Sequence, residues 1–449
     1  MNGGLVVRFS ILVAAEILFV GALNFFDDWT LEQMPVRFVG TAFAAGIAFL
    51  AAVAHFPPRI NIRRQAAIFW GVAIILRLVA LPLAPADELI RYQWDGKIQQ
   101  TGFNPYLTAP SDSKLDDLRH DFPQAAKINH PELPAFEAPG AELLFKVFAG
   151  VTDRPIFYKI FFAIADLAIA ALLLQLIGND RRYLVAAWYA WNPLVIYSFA
   201  GAAHCDSVMM LALIGGVLAL TKACPEQQLT GTTRIDDPPS QWRWSLIAAI
   251  CLGIAVSLNL VAASLFLFFL FALRWRAFVL VLSVAIPVSL SSVFGYPGLQ
   301  NWSSLGQVAY LSRLNDLFWW LIEDTFWPNP HQRLFHYFPI MTVCVIAVSL
   351  LFVRNWKRGT VWSLGTVLVL SPILHPWYCT WILPFATWRR AHGWHVLSIT
   401  LFAYYLFWDD RLFALPWHAE PWMRGLIVAP VLASMIMLAT QNRTAAEAI

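Results

Sequence analysis

Apolar and polar positions alternate along this chain in long blocks, with apolar runs of roughly 17 to 22 residues, the length a helix needs to cross a ~30 Å hydrocarbon core. Lipid offers no partner for backbone N–H and C=O groups, and the runs do not alternate residue by residue over ten positions. The spans are therefore expected to be helices and not barrel strands. The first run, residues 5–23, is long for a signal-peptide core and contains Glu16. It is followed by Asn24-Phe25-Phe26-Asp27-Asp28 with no small-residue cleavage pattern, and reads as a retained span.

The polar blocks sort by charge. Arg59/Arg63/Arg64, Arg181/Arg182, residues 222–243, Arg274/Arg276, Arg354/Lys357/Arg358 and Arg389/Arg390 are basic turns and fall on the cytoplasmic side by the positive-inside rule. The connections at 27–32, 201–204 and 409–420 carry acids or little charge and fall outside, which places the N-terminus inside. Residues 244–273 and 360–388 each lie between two basic turns and must cross an even number of times. Two legs of about 14 residues give about 21 Å each, short of the ~30 Å core. Their turns, near Asn259 and His375, are expected below the membrane surface at the floor of a cavity; one long tilted helix is the alternative. The predicted fold is an all-α polytopic membrane protein with about 14 transmembrane or half-membrane helices. An N-terminal module (1–224) carries an outer loop at 85–155 furnished with short amphipathic helices. A flexible linker at 225–242 leads to a C-terminal module (243–449) with a second outer loop at 295–335.

Composition agrees: 59% of residues are hydrophobic and 13% charged, with a mean hydropathy of +0.59. The net charge of +3 comes from juxtamembrane clusters that insertion explains, so no nucleic-acid partner is expected. The five cysteines are scattered without a Cys-x-x-Cys spacing, which predicts neither a disulfide framework nor a zinc site.

Loops this long are usually functional, so chemistry is expected to face outward. The loop at 85–155 opens on a stretch in which a helix places Asp87, Arg91 and Asp95 on one face. That pattern fits a salt-bridge ladder on an interfacial helix, and equally a carboxylate general base held at the membrane boundary. Asp166 and Glu16, inside spans, read as helix-pairing acids or as residues facing a polar cavity.

The motif Asp87-Glu88-x-x-Arg91-Tyr92-x-Trp94-Asp95-Gly96-Lys97-x-Gln99, then Gly102-Phe103-Asn104-Pro105-Tyr106, resembles the GT-C glycosyltransferases that use polyprenyl-phosphate sugars. It is most similar to the bacterial polyprenyl-phosphomannose-dependent mannosyltransferases of glycosyltransferase-87-like type. Asn129-His130-Pro131-Glu132-Leu133-Pro134, Trp191-Asn192-Pro193-Leu194 leading to Gly201-x-x-His204-x-Asp206, Arg313-Leu314-Asn315-Asp316 and Ser371-Pro372-x-x-His375-Pro376-Trp377-Tyr378 follow in the same order.

The resemblance implies transfer of a hexose, mannose above all, from a polyprenyl-phosphate donor to a hydroxyl of a lipid or glycan acceptor, with inversion. It implies a multi-pass protein of the plasma (inner) membrane with its site on the non-cytoplasmic side. Asp87 and Glu88 would be catalytic; Arg91, Tyr92, Trp94, Asp95, Asn104, Tyr106, His130, His204, Asp206, Arg313, Asn315, His375, Trp377 and Tyr378 would bind substrate. Arg313, His331, Arg333 and His336 offer phosphate contacts or headgroup contacts. Two departures stand out: Glu137-Ala138-Pro139 where relatives carry Tyr-Pro-Pro, and Asn259-Leu260-Val261-Ala262 where they often carry Lys-x-x-Pro. No cofactor is assigned, and the added acids Glu137 and Glu142 are compatible with another sugar, another acceptor or a divalent metal ion bridging carboxylate and phosphate. A transporter or flippase of a lipid-linked sugar and a non-catalytic assembly scaffold are the competing classes.

Overall fold

Proline and asparagine set where many of the helices begin. The computed structural model describes residues 3–23, 34–57, 60–224, 239–276, 279–283, 315–326, 337–406 and 422–433. The first helices are α1 (Gly3–Leu23), α2 (Met34–Ala54) and α3 (Ile62–Ala80). The side chain of Asn61 accepts from Arg63 N at 2.9 Å and caps α3. The loop at 85–155 then carries α4 (Asp87–Gln100), α5 (Asp116–Asp121) and α6 (Pro139–Val151). Pro139 opens α6 and Pro155 opens α7 (Pro155–Ile177), each at a first-turn position where a missing N–H costs nothing. Gly178, at φ 62°, ends α7 in the left-handed conformation glycine adopts freely.

α8 (Arg182–Ala190) breaks at Trp191-Asn192, where Asn192 caps α9 (Pro193–Ile196) by accepting from Leu194 N at 2.9 Å. α10 (Asp206–Ala223) packs closely on α11 (Pro239–Leu258), which ends at Asn259; a 3-10 turn and α12 (Phe266–Leu273) follow. The C-terminal half adds α13 (Trp319–Thr325), α14 (Tyr337–Leu351), α15 (Trp356–Leu370), α16 (Leu383–Arg389), α17 (Gly393–Thr400) and α18 (Trp422–Ala433).

Among the described residues four helices, within α2, α7, α10 and α11, are long and apolar enough to cross a membrane. α14 and residues Val353–Leu370 pass the same test only as a pair bent by 71°. Chain breaks are indeed found at Asn259 and around His375, but the first hairpin is not the pair of short legs its length implies. α11 is 20 residues, about 30 Å at 1.5 Å per residue, enough for a whole span. Its start at Pro239 also makes the last part of the expected linker helical; residues 225–238 lie outside the described residues.

Large apolar side chains such as Ile17, Ile47, Ile164 and Val343 face outward, the surface a bilayer would cover. Aromatic residues tie the two ends of the chain together: Phe38 of α2 meets Tyr197 at 5.4 Å and Tyr405 at 4.9 Å, and Asn192 donates to Ser398 Oγ at 2.8 Å. Within this apolar interior Arg77 Nε donates to Asp166 Oδ2 at 2.7 Å, Tyr189 OH donates to Asp166 Oδ1 at 2.7 Å, and Arg77 Nη1 donates to the Ala190 carbonyl at 2.6 Å. Asp166 is thus paired across three helices, the affordable way to keep a charge in a span.

Candidate active site

The site is built where the outer-loop helix α4 starts. Ala86 N donates to the Ala202 carbonyl at 2.9 Å, so the first turn of α4, with Asp87 and Glu88, is pinned to the turn that leads into α10. Carboxylates at this end of a helix face its positive dipole. The two carboxyls are chain neighbours in this first turn; burial, then the charge of Asp87, holds Glu88 well above the ordinary carboxylate range, and its buried Oε2 has no hydrogen-bond partner. Glu88 therefore keeps its proton to higher pH than an ordinary carboxyl.

The turn itself is shaped by backbone irregularity. Tyr197–Gly201 winds as a π-helix, Ala203 takes φ 67°, and His204 N returns to the Ser198 carbonyl at 2.9 Å. π-bulges and left-handed non-glycine residues are features that cluster at functional sites. The result is that His204 and Asp206 project toward both breaks in the C-terminal half. Trp377 stacks between two imidazoles, 4.2 Å and 17° from His204 and 4.4 Å and 4° from His375. His375 Nδ1 lies 3.0 Å from Tyr404 OH, while His204 Nδ1 is buried without a partner. Burial pushes both imidazoles, which sit in turns between spans, down to about 3, so both are neutral rings that bond by hydrogen and not by charge.

Asp206 staples the two breaks together: its Oδ1 accepts from Trp381 Nε1 at 2.9 Å and from Asn259 Nδ2 at 3.3 Å. Asn259, read from sequence as the turn of a hairpin and as the loss of a basic residue, also caps the following turn by accepting from Val261 N at 3.1 Å. Next to it lies a small pocket lined by Ala141 and Leu144 of α6, Cys205, Asp206 and Met209, and Leu258 and Asn259. Asn315 Nδ2 donates to the Leu374 carbonyl at 3.0 Å, so that motif sits directly against the His375 turn; Arg313, His331, Arg333 and His336 lie outside the described residues. Tyr378 stacks on Trp381 at 4.2 Å, its hydroxyl pushed up by burial and by the charges of Glu137, Asp206 and Glu88.

Other residues expected to bind substrate do different work. Arg91 and Asp95 pair with each other, Nε to both carboxylate oxygens at 2.9–3.0 Å, and Arg91 Nη2 holds the Leu133 carbonyl at 3.0 Å. The pair is buried and fastens the loop to α4; Asp87 is not in it. Trp94 is fully buried against Phe122, Ile98 and Leu115, so it has no face left for a sugar. Tyr92 stacks on Phe145 at 4.4 Å. Tyr106 is buried and its OH donates to the Glu137 carbonyl at 2.7 Å, while Asn104 accepts from Tyr106 N at 2.9 Å and makes the turn. His130, at φ 51°, is exposed and pairs with exposed Glu132 at 3.2 Å, away from the cleft. Gly96 lets α4 cross α6: a Cβ there would stand 2.3 Å from the Phe145 carbonyl oxygen. Trp381, Tyr404 and Glu137 are the cleft residues the sequence did not single out as a set; the run Trp377-Tyr378-x-x-Trp381, at helical spacing, was the available signal for the first.

Asp87, Glu88, His204, Asp206, Asn315, His375, Trp377 and Tyr378 thus converge from four separate parts of the chain. Residues 10–276, more than half of the chain, match the family model for the alpha-(1->6)-mannopyranosyltransferase N-terminal domain of the MptA/B family. The chain belongs to this family. The match takes in the Asp87–Glu88 pair and the 202–206 turn, two of the four parts, together with the Asn259 break. Comparison with curated proteins gave no match. The family and the apolar helices together make the protein a membrane glycosyltransferase of mannosyltransferase type. Among the described residues of this mannosyltransferase no group of three or more His, Cys, Asp or Glu side chains is arranged to hold a metal ion. The five cysteines are all free.

Proposed function

We propose that the protein moves a mannosyl group from a polyprenyl-phosphate donor to a hydroxyl of a lipid or glycan acceptor, with inversion, on the non-cytoplasmic face of the plasma membrane. The observation that carries this reading is the adjacent Asp87 and Glu88 carboxyls, pinned through the Ala86–Ala202 hydrogen bond to the turn from which His204 stacks with Trp377 and His375. Asp87 takes the proton of the acceptor hydroxyl, the acceptor oxygen attacks the anomeric carbon, and the bond to the phosphate oxygen breaks as the polyprenyl phosphate leaves with the electron pair. A single displacement inverts the anomeric centre. The neutral imidazoles supply N–H donors to sugar or phosphate oxygens in a cleft largely closed to water, where such bonds count for more than in solvent. The sequence has no glycine-rich phosphate loop, and a donor whose phosphate is anchored in lipid needs none. The outward face follows from the basic turns, which put the 85–155 loop opposite them.

The test uses purified full-length protein in detergent with polyprenyl-phosphate mannose, polyprenyl-phosphate glucose and a nucleotide-linked mannose, each with membrane-extract acceptor. Consumption of polyprenyl-phosphate mannose with a glycosylated product is the expected result; detergent leaves no two compartments, so transport alone cannot consume it. Consumption of only the nucleotide sugar, or of no donor, overturns the reading.

A further inference from the structure

Residues 133–139 run along the cleft and are held at both ends. Ala135 N donates to the Pro105 carbonyl at 2.9 Å, Tyr106 OH donates to the Glu137 carbonyl at 2.7 Å, and Gly140 sits so close to α11 that a Cβ would meet the Ser257 carbonyl oxygen at 2.6 Å. Between these fixed points the Glu137 side chain is half-buried, and among the described residues its carboxyl makes no hydrogen bond or ion pair. The groups that feel it come from every element around the cleft: Glu88, Tyr92, Asp95 and Arg91 of α4, Glu142 of α6, Cys205 and Asp206 at the start of α10, and Tyr378 of the second break. Two residues before Asp206, whose charge Glu137 feels, His204 is 1% exposed and leaves Nδ1 without a partner. An unpartnered carboxyl and an unpartnered imidazole nitrogen, both on rigid backbone, are groups awaiting a polar ligand.

We propose that Glu137 binds the transferred sugar, its carboxyl hydrogen-bonding a ring hydroxyl while Asp87 acts at the acceptor. This rests on the transferase reading above. Burial, then the negative charges of Asp206 and Asp95, pushes the Glu137 carboxyl up to about 8 against the opposing pull of Arg91. It therefore donates its proton to the sugar near neutral pH. Above about pH 8 it ionises, loses that donor and adds a charge beside Glu88 and Asp206, which weakens binding of an anionic donor.

The experiment compares wild type, Glu137→Gln and Glu137→Ala as full-length protein in detergent, with polyprenyl-phosphate mannose as donor and Asp87→Asn as reference. Glu137→Ala is expected to raise the donor KM about five- to tenfold, the loss of one hydrogen bond of about 1 kcal/mol, with a smaller change in kcat. Glu137→Gln, which keeps a donor without ionising, is expected to stay near wild type at neutral pH and to lack the decline in kcat/KM that wild type shows above about pH 8. A purely structural role would leave the pH profile of the Gln variant like that of wild type. An unchanged KM in Glu137→Ala, or the same alkaline decline in Glu137→Gln, overturns the assignment while an active wild type and a dead Asp87→Asn leave the transferase reading standing. A wild type that consumes no donor overturns both.

Discussion

Replacing Asp87 by Asn is expected to lower kcat by about 10²–10⁴-fold, the range general-base catalysis supplies, while donor binding stays close to wild type. The amide keeps the volume of the side chain but cannot accept the acceptor's proton. Glu88→Gln is expected to be much milder. Burial and the Asp87 charge keep the proton on Glu88, so a glutamine reproduces the form that Glu88 presents to Asp87 near neutral pH. Measuring kcat and donor affinity for both variants separates the roles. A Glu88→Gln enzyme as inactive as Asp87→Asn would transfer the base to Glu88 or to the pair as a unit.

The second large effect lies inside the bundle. Arg77→Met strands the Asp166 carboxylate, 0% exposed, without its cation. Removing one partner of a buried pair costs about 3–5 kcal/mol, a large part of what holds a domain folded. Loss of monodisperse protein in detergent is the expected outcome for Arg77→Met and for Asp166→Asn to a smaller degree, since the amide oxygen still accepts from Arg77 while its NH2 donates to the Tyr189 hydroxyl oxygen. The double replacement Arg77→Met with Asp166→Leu exchanges the pair for apolar contact and is expected to recover most of the folded yield. Thermal unfolding of the three variants in one detergent checks the order. A stable Arg77→Met with an unstable double variant would mean that the pair does not couple α3 to α7.

Much of the frame was legible in the sequence because the signals are local. Run length announced helices, and the polar blocks placed breaks at Asn259 and His375, where the chain does turn. Asp87-Glu88 announced itself by standing just after a span. What stayed hidden depends on which groups meet across the fold. The i, i+4 pattern of Asp87, Arg91 and Asp95 allowed two pairings, and only the packing of α4 under residues 133–135 selects Arg91 with Asp95 and leaves Asp87 to the cleft. Trp94 and Trp377 look alike in sequence. One fills the floor of the outer loop and the other stacks between histidines 173 and 2 positions away in the chain, a difference no local pattern encodes. Asn259 and Trp381 became informative only once both were seen to donate to Asp206. Asp166 could not be interpreted until Arg77, 89 residues earlier, was found beside it.

The central claim is that the cleft under the start of α4 is where the donor sits, and photo-crosslinking tests it most directly. A polyprenyl-phosphate mannose analogue carrying a photoreactive group on the isoprene unit next to the phosphate would be bound to purified protein, irradiated, and the labelled peptides mapped by mass spectrometry. The account predicts label on peptides containing residues 87–92, 202–209 or 375–381, competed by unlabelled donor and retained in Asp87→Asn. Competable label confined to the opposite end of the bundle, around Trp188 and His392, would contradict it.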